Sequence, residues 1–103
     1  MLILFPHRLG QLKSGVQNAP LFFRKILKNN SLIVNCNNSD INKYSNMINN
    51  LKNLYLFNSK FSEKKINIGG DHSMSIATVA DSLNKFYKND LKVLWFDAHP
   101  DIN

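Results

Sequence analysis

Three polar side chains occupy alternate positions near the end of the sequence, directly after an apolar run. They are Asp97, His99 and Asp101, and the run before them reads LKVLWF. In extended backbone the side-chain period is two, so we expect all three side chains to point to the same side. Two carboxylates that close repel each other unless a cation lies between them. The spacing therefore predicts a metal site.

A second polar cluster, Gly69-Gly70-Asp71-His72-Ser73, follows an earlier apolar run. His72 would add a second imidazole to the set, and oxygen and nitrogen ligands without a thiolate suit Mn²⁺, with Zn²⁺ and Fe²⁺ as competitors. Taken alone, this cluster could equally cap a helix that begins near Ser73, and the first cluster could be a solvated loop after a strand. Because both clusters follow strands, their combination favours a metal site.

The elements that must position these clusters alternate between strands and helices. Four short apolar runs predict strands, at residues 2–5, 31–36, 65–68 and 91–96. Three other segments predict helices: from Pro20 to about Lys28, from a cap at Ser39 or Asp40 through Tyr55, and from about Ser73 to Tyr87. The order is βαβαβαβ, which indicates crossover helices between parallel strands.

Apolar side chains at three- and four-residue steps predict which helix faces pack on the sheet. In the second helix they are Ile41, Tyr44, Ile48, Leu51 and Tyr55. In the third helix they are Ile76, Val79, Ala80, Leu83, Phe86 and Tyr87. The fourth strand is apolar throughout, which is typical of a strand covered on both faces of a parallel sheet. We accordingly expect Trp95 to be substantially buried.

The predicted fold class is α/β, with three layers (αβα) around a mainly parallel sheet. A chain of 103 residues with 44% hydrophobic content can bury one modest core, so we expect residues 1–103 to form a single domain. In open α/β sheets, ligands bind beyond the carboxyl ends of the strands. Both polar clusters are predicted to lie at that edge.

Charge and cysteine content exclude some classes of function. The chain carries 13 Lys and Arg residues against 7 Asp and Glu, a formal net charge of +6. The cations are dispersed, with Lys64-Lys65 as the longest basic run, so we predict a solvated surface and no nucleic-acid partner. The apolar start, Met1–Phe5, is too short for a membrane span. The single cysteine, Cys36, can form no intramolecular disulfide, which favours a cytoplasmic location.

The two clusters resemble motifs of the ureohydrolase family, and most closely the N-terminal part of its arginase branch. The resemblance rests on GGDHS at 69–73 and DAHPDIN at 97–103, and LGQLKSGVQNAPLFFR at 9–24 is similar to the opening of that branch. Ala19 stands where glycine is usual, and Pro100 stands where threonine is usual. The resemblance implies an arginase-like fold, of which these residues form the N-terminal portion of an incomplete domain.

Position by position, the resemblance implies roles for five side chains. His72 would bind one Mn²⁺ ion and His99 would bind the other. Asp101 would be a ligand of the same ion as His72, and Asp97 would bridge both ions. Asn103 is similar to the asparagine that contacts the α-carboxylate of the substrate. The implied reaction is hydrolysis of the guanidinium group of L-arginine to urea and ornithine, a step of arginine metabolism and the urea cycle.

The family's third motif, Ser-x-Asp-x-Asp-x-x-Asp-Pro, does not occur in the 103 residues. We therefore expect the isolated chain to be inactive and the full-length form to be the enzyme. For the complete form, a homo-oligomer is also allowed. Two alternatives stay open: a non-catalytic remnant or interaction module, and an agmatinase-like ureohydrolase. The Ile102-Asn103 pair favours the arginase branch, because agmatinase-like relatives need no group for an α-carboxylate.

Overall fold

The computed structural model describes residues 1–27 and 31–98. Strands and helices alternate in this part of the chain. The elements are β1 (Leu2–Phe5), α1 (Asn18–Leu27), β2 (Ser31–Ile33), α2 (Lys43–Ser59), β3 (Ile66–Gly69) and α3 (Met74–Lys85). The predicted α/β class is confirmed. The first strand has the predicted ends, and the second and third predicted strands and all three helices are present with shifted ends.

The sheet has the strand order β2-β1-β3, and both pairings are parallel. Leu2 at the start of β1 pairs with Ser31 on one side and with Ile66 on the other. Parallel crossovers are almost always right-handed, which places α1 on one face of the sheet and α2 on the other. In agreement with this arrangement, α2 packs along α3, while α1 contacts β1 and β3.

The core lies between the central strand and the pair α2 and α3. Ile3 and Phe5 point to the same face of β1 and are fully buried. They form one cluster with Val34, Leu54 and Ala77, each at most 3% exposed. Burying a large aliphatic or aromatic side chain stabilises the fold by roughly 1.5–3 kcal/mol. The central strand β1 is therefore firmly anchored, and its carboxyl end lies between those of β2 and β3.

The buried face of α2 differs from the predicted one. Ile41, Tyr44 and Ile48 are exposed, whereas Asn50 and Asn58 are buried on either side of Leu54. Leu51 and Tyr55, also predicted, pack at the margin of the core. The cause is that both buried amides are hydrogen-bonded: Asn50 contacts the backbone of Asn37, and Asn58 contacts Asn67. Burial of an amide is tolerated when such bonds replace those to water.

The buried face of α3 also differs from the predicted one. Ala77 and Asp81 are buried, whereas Ile76, Leu83 and Phe86 are exposed. Tyr87, which was predicted to belong to the same face, is exposed as well. An aspartate can occupy the inner face because it accepts charge-assisted hydrogen bonds from two lysines. Apolar periodicity cannot reveal a face that is held by ion pairs.

The predicted fourth strand is wrong for this structure. Residues 91–97 have no strand hydrogen bonding, and Trp95 is 51% exposed rather than buried. The segment runs beside α3 and is separated from it by a cavity of about 280 Å³, which Val79 and Val93 help to line. A strand that is apolar throughout needs cover on both faces. Within residues 1–27 and 31–98, α3 adjoins this segment on one side and no element covers the other.

The start of α2 is another correction. The N-cap residue is Asn42, in the left-handed conformation with φ 57°, and its side chain makes no capping hydrogen bond. The predicted caps act elsewhere: the Ser39 hydroxyl accepts from the Ile41 amide, and Asp40 pairs with Arg8 at 3.0 Å. Asparagine adopts the left-handed region more readily than most residues.

No helix within the described ranges is long and apolar enough to cross a membrane.

Candidate metal centre

The loop after β3 approaches the backbone of β1 closely, and two glycines permit that approach. A Cβ atom on Gly70 would overlap the carbonyl oxygen of His7, and one on Gly69 would overlap the sulfur of Met74. The Met74 side chain can move aside, but the carbonyl of His7 cannot move without shifting the chain. The glycine pair therefore fixes the point at which the next residues leave the sheet.

The Asp71 carboxylate holds this loop together. Its Oδ2 accepts a 2.8 Å hydrogen bond from the Gly10 amide, and its Oδ1 accepts from both the amide and the hydroxyl of Ser73. Ser73 is the N-cap residue of α3 and makes no side-chain capping bond of its own. Asp71 thus fixes the residue at which α3 begins, without capping the free amides of the first turn.

A second histidine, His7, lies fully buried behind the Asp71 clamp. Its Nδ1 faces the Asn50 side-chain amide at 3.0 Å, and its ring stacks on Phe5. Because Asn50 Nδ2 is a donor, Nδ1 must accept, so the proton lies on Nε2, 3.8 Å from Asp71 Oδ2. Burial lowers the pKa of His7, Asp71 opposes this shift, and Arg8 adds to it.

Sequence reasoning missed His7, although a usable signal was present. His7 follows the buried strand β1 just as His72 follows β3, and polar residues at this edge of a parallel sheet deserve the same scrutiny. Nε2 of His7 has no hydrogen-bond partner within the described residues. The 3.0 Å contact of His7 with Asn50 and its 3.8 Å approach to Asp71 nevertheless place His7 between α2 and the loop that carries His72.

The structure brings His72 and Asp97 together. Nδ1 of His72 lies 3.5 Å from Oδ2 of Asp97, and their side chains are 53% and 17% exposed. The His72 ring stacks on Trp95, with centroids 4.7 Å apart and an interplanar angle of 26°. A cavity of about 370 Å³ adjoins His72 and is lined by Asp71, His72 and Trp95 among others. Solvent therefore reaches the imidazole from this cavity.

The other predicted site residues, His99, Asp101 and Asn103, lie outside the described residues. Within residues 1–27 and 31–98, no three His, Cys, Asp or Glu side chains are grouped so that they could hold a metal ion. What the structure offers is one imidazole and one carboxylate, from positions 25 residues apart in sequence (97 minus 72), at the carboxyl edge of the sheet. That pair could supply two ligands to a shared ion.

The comparison with known proteins identifies the family. The profile of the Arginase family matches residues 1–103, and the chain therefore belongs to the arginase family. An arginase of Entamoeba histolytica is 30% identical over 98% of the chain, and an arginase of Staphylococcus aureus is 32% identical over 99%. The human mitochondrial arginase-2 is 29% identical over 95% of the chain.

The matched region is only part of each relative. The chain corresponds to 41% of the length of the Entamoeba and Staphylococcus proteins and to 33% of the human protein. No solved structure matches the chain significantly.

Proposed function

We propose that this chain supplies His72 and Asp97 as metal ligands in an arginase-like hydrolase, which in its full-length form converts L-arginine to urea and ornithine. The observation that supports this proposal is the 3.5 Å approach of Nδ1 of His72 to Oδ2 of Asp97 in a member of the arginase family. Two ligand atoms about 2.1 Å from one metal ion lie roughly 3.0–3.5 Å apart in octahedral or tetrahedral geometry. The separation fits a shared ion.

The donor types also fit the proposed metal. An imidazole nitrogen and a carboxylate oxygen, without a thiolate, form a set that Mn²⁺ accepts, and His99 and Asp101 would extend the same set. Two bound Mn²⁺ ions would lower the pKa of a water molecule and so supply the hydroxide that attacks the guanidinium carbon. In this proposal Asp97 would contribute its carboxylate to both ions, and Asn103 would bind the α-carboxylate of arginine.

The remaining residues of the site keep these ligands in place. Asp71 fixes the loop through Gly10 and Ser73, and Trp95 covers one face of the His72 ring. Such supporting contacts set the orientation of a metal ligand, and their loss commonly lowers metal affinity by 10–100-fold. We propose that residues 1–103 form one arginase-like domain together with the segments that carry the third motif.

A hybrid enzyme tests this function. In the hybrid, these 103 residues replace the matching segment of the Entamoeba histolytica arginase, and urea release from L-arginine is measured with Mn²⁺ present. We expect activity, and we expect His72→Ala and Asp97→Asn each to reduce it by roughly 10³-fold or more, because ligands that act as one unit fail together. Lys52→Ala, on the exposed surface of α2, is the matched control and should leave the rate unchanged.

Two results of the hybrid assay would contradict the proposal. Urea release that survives His72→Ala would show that the imidazole binds no essential metal. A preference for agmatine over L-arginine would instead favour the agmatinase-like alternative and remove the role of Asn103.

The 103-residue chain by itself should bind Mn²⁺ weakly and release no urea. It lacks the ligands of the third motif, so water must complete the metal's coordination. Calorimetric titration with Mn²⁺ should give an affinity at least about 100-fold below that of the active hybrid. Tight binding of two ions to the 103-residue chain would contradict this expectation.

A further inference from the structure

Two lysine ammonium groups meet at the amino end of β3, opposite the candidate metal centre. Nζ of Lys65 and Nζ of Lys85 contact the same three oxygen atoms. The first is the carbonyl oxygen of Asn58, 2.8 Å from both nitrogens. The second is the carbonyl oxygen of Phe61, 2.7 Å from Lys65 and 2.6 Å from Lys85. The third is Oδ2 of Asp81, 3.3 Å from Lys65 and 3.1 Å from Lys85. Two nitrogens that share three acceptors must lie beside each other.

The charges in this cluster do not balance when both lysines are protonated. Two ammonium groups face one carboxylate, and the side chains of Lys65, Asp81 and Lys85 are only 13%, 4% and 22% exposed. Loss of one proton leaves one cation against one anion, and the lone pair of the neutral amine can then accept from the remaining ammonium. Burial lowers the pKa of Lys65, the neighbouring Lys85 lowers it further, and Asp81 opposes both effects.

A cavity gives small molecules access to this cluster. Its volume is about 310 Å³, and Lys65, Asp81 and Lys85 form part of its lining. The other charged groups on its wall are Glu63 and Lys64, both solvent-exposed. The second oxygen of Asp81, Oδ1, is buried and has no hydrogen-bond partner within the described residues. The cluster therefore retains an unused acceptor beside an amine that can react.

We propose that Lys65 is a nucleophilic amine that captures small aldehydes as an imine in this cavity. The nitrogen of neutral Lys65 adds to the aldehyde carbon and forms a C–N bond, while Lys85 gives a proton to the oxygen. Lys85 regains a proton from the nitrogen and passes it to the new hydroxyl group, so the C–O bond breaks and water leaves. Lys85 then takes the last proton from the nitrogen, and a C=N bond remains. The net change is loss of one water molecule, without oxidation or reduction.

This site is independent of the proposed metal chemistry. Lys65 precedes β3 and Gly69 ends it, so the strand separates the lysine cluster from the loop of His72. None of its members was singled out by the motifs, because each is unremarkable in sequence and the cluster forms only when α2, β3 and α3 pack together. Loss of arginine hydrolysis in the hybrid would leave the aldehyde reaction unaffected.

Reductive alkylation of the 103-residue chain tests the proposal. Propanal and cyanoborohydride at pH 7 convert each imine to a stable propyl-lysine, which peptide mass spectrometry assigns to its residue. Only the neutral amine reacts, and each pH unit by which a pKa falls raises that fraction about tenfold. We expect Lys65 to be alkylated at least about tenfold faster than the exposed Lys13 and Lys52. An equal or slower rate at Lys65 would overturn the proposal.

A variant separates this effect from simple exposure. Lys85→Met removes the second ammonium, so Lys65 should keep its proton beside Asp81 and react about tenfold more slowly. Greater exposure alone would have the opposite result, a faster reaction, and that outcome would contradict the proposal. Lys92→Met, at an exposed position, is the matched control, and circular dichroism verifies that both variants fold. Independently of any variant, the pH at which Lys65 labelling is half-maximal should lie below that of Lys52.

Discussion

The two ends of β3 both bury charged groups, but with opposite balances of donors and acceptors. At the carboxyl end, the two oxygens of Asp71 accept hydrogen bonds from Gly10 and Ser73, and the loop is held by them. At the amino end, Lys65 and Lys85 compete for the same oxygens. The arrangement around Asp71 is suited to positioning the neighbouring ligand His72. The arrangement at the amino end instead favours loss of a proton from Lys65. Identical types of contact thus produce a rigid support at one end and a reactive group at the other.

Among changes at the two ends of β3, the largest effect should follow from adding one methyl group at the carboxyl end. Gly70→Ala places a Cβ against the carbonyl oxygen of His7, and the backbone must move to relieve the overlap. We expect a loss of roughly 3 kcal/mol in the free energy of unfolding, measured by urea denaturation. Gly15→Ala is the control: its φ of 120° is unfavourable for alanine but its surroundings are open, so the loss should be about 1–2 kcal/mol. Equal losses would show that contact with β1 is unimportant.

At the amino end, the corresponding change is removal of the carboxylate. Asp81→Asn leaves Lys65 and Lys85 without their counterion in a largely buried place, and we expect a loss of roughly 2–3 kcal/mol. Lowering the charge on the lysines should reverse part of this loss, so the double variant Asp81→Asn/Lys85→Met should be more stable than Asp81→Asn. Failure of the second substitution to restore stability would mean that charge imbalance does not govern this cluster.

His7 should make the stability of the carboxyl end depend on pH. Its pKa is lowered in the folded state, so the unfolded chain binds more protons at this residue once the pH falls below about 6.5. Stability should therefore fall as the pH decreases from 7 to 5.5, by at most about 1.4 kcal/mol per pH unit. Comparison with His7→Gln by urea denaturation at both pH values isolates this contribution. A wild-type chain with the same pH dependence as His7→Gln would contradict the assignment.

The smallest effect is expected at the segment that contributes Asp97. Trp95 is half-exposed and its ring contact is with His72, so Trp95→Ala should lower the free energy of unfolding by less than about 1 kcal/mol. Phe5→Ala, in the core, is the contrasting variant and should cost about 3–5 kcal/mol. A large loss at Trp95 would indicate that residues 91–97 pack more firmly than their exposure suggests.

Local patterns in the sequence predicted the α/β class, β1 and the three helices. They also predicted that His72 and Asp97 would meet, and the two side chains lie 3.5 Å apart although no strand directly precedes Asp97. The helix faces could not be predicted, because Asn50 and Asp81 are buried by partners that lie far away in sequence. The lysine cluster was missed for the same reason. The predicted roles of His99, Asp101 and Asn103 remain predictions.

The central position of β1 also has a consequence for the order in which the chain assembles. Its two pairings begin at Leu2↔Ser31 and Leu2↔Ile66, so they close segments of 29 (31 minus 2) and 64 (66 minus 2) residues. The entropy of loop closure makes the longer one less favourable by about 0.7 kcal/mol. The unit β1-α1-β2 should therefore form first, and the arrival of β3 should limit the folding rate. The clamp at the carboxyl end of β3 would then close in that last step, when Asp71 meets Gly10, whereas the lysines at the amino end find their partners within the shorter stretch from α2 to α3.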